Sequence, residues 1–147
     1  MGMKKCLVCI VTLALLSMMV VVPGAALAES GNAAANAVCT LIELVLGNNF
    51  ENHEVSVDGN MIVVNLWQSG LALEVAMLKA SGDDENNSDW VTLKDNVISM
   101  SDSILGLMAT AEVDDMYLNI NIKNDINTEN VLLSLLNSYV IFDAMAD

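Results

Sequence analysis

Between Cys6 and Val22 every residue except Thr12 and Ser17 is apolar, and the adjacent charges Lys4 and Lys5 stand directly before the run. A basic stretch leading into a hydrophobic one is what export machinery recognises. Pro23 and Gly24 interrupt any helix the run forms, and Ala26-Leu27-Ala28 places small side chains at the two positions that signal peptidase reads. The pattern predicts a cleavable signal peptide over residues 1–28, cut between Ala28 and Glu29, and a secreted chain whose fold is confined to residues 29–147. A retained membrane anchor is the competing reading, because the 17-residue run falls only slightly short of the roughly 20 residues that span a bilayer. A lipoprotein fits less well, since Cys6 and Cys9 sit at the start of the run and Cys39 lies well past its end. The CxxC spacing of Cys6 and Cys9 falls in the segment to be removed, so it gives no redox motif.

What remains after residue 28 is strongly acidic. All 19 Asp and Glu lie there against Lys79, Lys94 and Lys123, a formal charge of −16, and arginine is absent from the chain. A polyanion without arginine cannot neutralise phosphates, so nucleic-acid binding is excluded and attraction to an anionic membrane surface is disfavoured. Such a charge favours solubility, and more specifically affinity for cations or basic peptides. Residues 29–147 suffice for one compact domain and are too few for two ordinary ones. Cys39 alone survives processing, so no internal disulfide forms, and its apolar surroundings Ala37-Val38-Cys39-Thr40-Leu41 suit a small buried hydrophobe. No later apolar run approaches the length of a membrane span.

Periodicity divides this part into eight elements. Residues 33–46 place Val38, Leu41, Ile42, Val45 and Leu46 at three- and four-residue spacings, a helix stopped by Gly47 and Asn48. Val55-Ser56-Val57 and the run from Met61 to Trp67 flank Asp58-Gly59-Asn60, turn chemistry that supplies a positive φ between two β-rich runs. A second helix runs to Lys79 with Ser69 as its expected cap and Gly82 beyond its end. After the polar connector 83–89, Ser88 or Asp89 is the expected cap of a third helix, on which Trp90, Leu93, Val97, Met100, Ile104, Leu107 and Ala111 mark one apolar face. Leu118, Ile120 and Ile122 alternate with Tyr117, Asn119 and Asn121, the pattern of a strand with one buried face. Residues 131–142 fit a hairpin turning at Asn137-Ser138, and also a helical face; β-branched and aromatic content favours the hairpin. The expected class is α+β, an antiparallel or mixed sheet of about five strands with helices packed on one face.

Few residues suggest chemistry. His53 is the only histidine, set beside Glu51 and Glu54 before the first strand, and reads as a surface residue at a strand entrance. No nucleophile elbow, P-loop or zinc-protease motif is present. Asp83-Asp84-Glu85-Asn86-Asn87-Ser88-Asp89 is the best calcium candidate, yet Ser88 stands where an EF-hand loop needs glycine and Lys94 where it needs the closing glutamate. A solvated linker is the simpler reading, and Asn86-Asn87-Ser88 is also a glycosylation sequon. Trp67, Trp90, Tyr117, Tyr139 and Phe142 each fall in a strand or helix pattern, which assigns them to the core.

From Val55 to Asp143, the run Val57-Asp58-Gly59-Asn60 before an Ile-Val-Val-Asn-Leu-Trp strand, the long helix at Trp90, and Asn124 to Leu133 followed by Tyr139-Val140-Ile141-Phe142-Asp143 carry a resemblance. In these features the chain resembles small exported α+β domains of unknown function from Gram-positive anaerobic bacteria. The resemblance implies the element order above with a terminal hairpin, and it brings no activity, cofactor or site residue with it. The sequence therefore points to a secreted, non-enzymatic binding module for an extracellular protein, peptide or glycan, with no catalytic residue, metal or cofactor assigned. Alternatives are a carboxylate-based extracellular hydrolase and a weak calcium-binding protein.

Overall fold

The computed structural model describes residues 31–50 and 52–146. The expected signal peptide 1–28, the expected cleavage point between Ala28 and Glu29, and Glu51 lie outside the described residues. The elements follow in the order α1 (Gly31–Gly47), β1 (Asn52–Asp58), β2 (Met61–Trp67), α2 (Leu71–Ala80), α3 (Ser88–Thr110), β3 (Tyr117–Lys123), β4 (Val131–Leu136) and β5 (Tyr139–Asp143). No helix among them is long and apolar enough to cross a membrane. The fold is α+β, as its periodicity predicts.

Both tight hairpins are set by backbone that favours positive φ. Gly59 turns β1 into β2 at φ 58, and Asn137 and Ser138 turn β4 into β5 at φ 46 and 68. Two successive positive φ values define the type I′ turn, whose twist matches that of the flanking strands. The terminal segment is thus a hairpin and not a helix. Asn137 also fastens the turn to β3, its N–H donating to the Leu118 carbonyl at 2.9 Å and its Oδ1 accepting from the Leu118 N–H at 2.8 Å.

The five strands form one sheet in sequential order. β1–β2, β3–β4 and β4–β5 pair antiparallel, while β2 and β3 run parallel, so the sheet is mixed. A parallel neighbour requires a long crossover, and α2 with α3 provides it. One face of the sheet presents Ile62, Val64, Leu66, Leu118, Ile120, Ile122, Leu133 and Leu135 to a continuous core shared with Val38, Ile42 and Leu46 of α1 and Leu93, Val97 and Ile104 of α3. A register slip of one residue in β2 or β3 would turn that strand's core residues outward, which holds the pairing in place.

The helix ends differ from the sequence reading in instructive ways. α2 does not start from a Ser69 cap: its N-cap is Gly70, at φ 91, and the helix begins at Leu71. Asp125, from the β3–β4 loop, supplies the acceptors instead, taking the Gly70 N–H at 2.8 Å on Oδ2 and the Ala72 N–H at 2.9 Å on Oδ1. A carboxylate there satisfies orphan donors and meets the positive end of the helix dipole. α3 is capped by Asn87 rather than Ser88 or Asp89, its Oδ1 accepting from the Asp89 and Trp90 N–H groups at 3.0 and 3.3 Å. Asparagine caps as well as serine or aspartate, and the extended backbone at Asn87 fixes which of the three does so. α1 ends with Asn48 and Asn49 folding back to donate to the Leu44 and Val45 carbonyls, each at 2.8 Å.

Candidate functional site at the open face and edge of strand five

The sheet face turned away from the helices carries a row of polar side chains in register. Glu54 of β1 stands opposite Asn65 of β2, Asn65 opposite Asn121 of β3, Asn121 opposite Ser134 of β4, and Ser134 opposite Phe142 of β5. The hydrogen bonds along this row share one direction. Ser134 Oγ donates to Asn121 Oδ1 at 2.6 Å, Asn121 Nδ2 donates to Asn65 Oδ1 at 3.0 Å, and Asn65 Nδ2 donates to Glu54 Oε2 at 3.3 Å. Aligned dipoles ending on a carboxylate polarise one another, so the row is stronger than its separate bonds. Asn119 braces it from the side, accepting from Asn121 Nδ2 at 2.7 Å and donating to Ser134 Oγ and the Leu135 carbonyl at 3.2 and 2.9 Å. Asn121 and Asn119 thereby use both hydrogens of their amide groups within the row.

At its β5 end the row opens into a cleft of about 500 Å³ lined by Glu129, Asn130, Val131, Ser134, Ile141 and Phe142. Here the aromatic residues depart from the core assignment. Trp90 is buried, but Tyr139 is 77% exposed, Phe142 44% and Tyr117 48%. Val140 and Ile141 are exposed as well, so four consecutive large apolar residues of β5 face solvent. The reason is topological: β5 is the last strand of the sheet, and the pairing between β4 and β5 shifts at a bulge between Ser134 and Leu135. Sequence pattern gave no signal for this: an apolar run without alternation, as in Tyr139 to Phe142, reads as a strand buried on both faces.

The strand is firmly held despite its exposed surface. Asp143 at its end points back under α3, where Oδ2 pairs with Lys94 Nζ at 2.9 Å and Oδ1 accepts from Trp90 Nε1 at 2.8 Å and from the Met145 N–H at 2.9 Å. Both side chains of the pair are largely buried, at 17% and 7% exposure, and such a pair costs about 3–5 kcal/mol to break from one side. At the other end Ser138 Oγ donates to Asp102 of α3 at 2.6 Å. β5 is thus a pinned edge, not a fraying terminus.

Residues singled out for chemistry are placed elsewhere. His53 Nδ1 lies 3.2 Å from the Phe50 carbonyl, a contact that puts the proton on Nδ1 because a carbonyl can only accept. In the acidic connector Asp84 Oδ1 accepts from the Asn86 N–H at 2.9 Å and Asn87 caps α3, so this segment shapes a turn and a helix start. Among the described residues no group of three or more His, Cys, Asp or Glu side chains could hold a metal ion. Cys39 is buried, and burial, followed by the nearby Glu43 charge, pushes its thiol pKa up and away from the reactive thiolate. A second crevice, lined by Phe50, Leu66, Trp67, Gln68, Leu71, Asn96, Val97, Met100 and Ile122, measures only about 10 Å³, the room of one water molecule.

In comparison with known proteins the chain matches no family model, no curated protein and no solved structure.

Proposed function

We propose that the chain is a secreted, non-enzymatic binding module that takes an extracellular protein, peptide or glycan at the β5 end of its open sheet face. One observation carries this reading: Tyr139, Val140, Ile141 and Phe142 are all exposed on a pinned strand beside a cleft floored by Ser134. Exposing contiguous large apolar side chains costs solubility, and in folded proteins such patches mark interaction sites. Glu129 and Asn130, both exposed, add polar groups to the cleft lining, the usual complement to an apolar contact. Peptide and glycan arrays probed with the purified protein and with Phe142→Ser test the idea. Hits that weaken in the variant, with an unchanged melting midpoint, support it. Arrays on which both proteins give no hit, or the same hits at the same strength, overturn it.

A further inference from the structure

Resting on that binding reading, we infer that the free edge of β5 is a strand-addition site for an extended peptide that alternates apolar and basic side chains. An edge strand leaves every second pair of its backbone N–H and C=O groups without a ladder partner, and natural sheets usually guard such edges with charge. β1, the opposite edge, is guarded in this way, carrying Asn52, His53, Glu54, Ser56 and Asp58. Among the described residues β5 has no comparable guard. Its only charge, Asp143, is consumed by Lys94 and Trp90, and the four residues before it are apolar and exposed.

The two sides of this edge specify the partner. Side chains of an added strand alternate between the faces of the sheet. Those on the open face meet Phe142 and the cleft, and there apolar groups are favoured. Those on the helix face meet the flank of α3 that overhangs the β4–β5 turn. Asp102 marks that flank by its bond to Ser138, and Asp95, seven residues earlier and so two turns along the same side, continues it; both are exposed. Two carboxylates along one rim call for lysine or arginine at alternate positions of the guest. A second copy of the chain is a poor guest, because residues 29–147 carry a formal charge of −16 and two of their three lysines are engaged, Lys94 with Asp143 and Lys79 with the Ala144 carbonyl at 2.8 Å. The bulge in β5 limits the paired stretch to about the length of a short strand.

A labelled synthetic peptide of alternating valine and lysine tests this by fluorescence anisotropy with the full protein. The expected result is saturable binding that weakens with salt and falls by about tenfold or more when alternate peptide amides are N-methylated, since each methyl group removes a backbone donor that strand addition needs. A valine and glutamate peptide should fail to bind, and Asp95→Asn with Asp102→Asn should weaken the lysine peptide while the melting midpoint shows that the variant is folded. Equal binding of the N-methylated peptide, indifference to the two aspartates, or no saturable binding overturns strand addition. Sedimentation at about 0.15 M salt that shows a dimer abolished by Ile141→Lys assigns the edge to a second copy and likewise overturns it. Array hits that respond to Phe142→Ser yet ignore the aspartates and the N-methyl groups would retain the binding module and remove only its mode.

Discussion

Ser138 sits at φ 68, a conformation that costs a residue with a Cβ about 1–2 kcal/mol and costs glycine almost nothing. The turn keeps it there because Asn137 is clamped to Leu118 and because the Ser138 hydroxyl reaches Asp102. Glycine and alanine at this position should therefore reverse their usual order. Ser138→Gly is expected to be more stable than Ser138→Ala by about 1 kcal/mol, where in a helix alanine would lead by a similar amount. Urea titration of the two variants decides it, and alanine being the better residue would mean the turn is not of the positive-φ type. Glu74 offers a second test at this scale. Burial, then the charges of Asp125 and Asp89, raise its carboxyl above the ordinary range. A folded-state pKa above the unfolded one favours folding below the unfolded value, and this contribution is lost as pH rises through the folded value. Glu74→Gln should accordingly melt higher than wild type at neutral pH and match it below the ordinary glutamate value of about 4.3. Because Glu74 is partly exposed the gain stays below about 1 kcal/mol. A difference that widens as pH falls would contradict the assignment.

The polar row belongs to the scale of the sheet, because no strand makes it alone. Asn121 is its centre, with an amide that donates both ways and an oxygen that accepts from Ser134, a residue only 7% exposed. Asn121→Ala strands the Ser134 hydroxyl and the Asn65 oxygen together and is expected to cost about 1–3 kcal/mol, against about 0.5–1 for Asn65→Ala at the wetter end. Thermal unfolding of both variants measures the gap, and equal losses would mean that the row acts as separate pairs. Local periodicity made much of this fold legible: the turn at Gly59, the apolar stripe from Trp90 to Ala111, and the alternation from Tyr117 to Ile122 all follow from residues near one another in sequence. What escaped depends on distant partners. Asp125 caps α2 from a loop 53 to 55 residues away, which no reading of the helix itself could show. Asn65 and Ser134 stood conspicuously polar inside apolar strands, but only the parallel register of β2 on β3 brings them into one row with Asn121. The exposure of Tyr139 and Phe142 was equally hidden, since it depends on β5 being the final strand.

For the molecule as a whole, the acidity and the unguarded edge explain each other. A chain with Tyr139 to Phe142 exposed on a sheet edge invites edge-to-edge pairing of copies, the usual route from a free strand to aggregation. A formal charge of −16 over residues 29–147 opposes that encounter at long range while attracting a basic guest to the same edge. Distributed repulsion thus does for β5 what a charge within the strand does for β1, and it leaves the backbone groups of β5 open. Repulsion of this kind is conditional on ionic strength and pH. The screening length shrinks from roughly 30 Å in 0.01 M salt to roughly 3 Å in 1 M, and acid reduces the carboxylate charge itself. Light scattering should therefore show dispersed protein at low salt and neutral pH, and self-association as salt rises to about 1 M or pH falls toward 4. Ile141→Lys, which places a charge within the edge, should suppress that association under both conditions. Association that is unaffected by Ile141→Lys would locate the sticky surface elsewhere and break the link between the charge of the chain and its last strand.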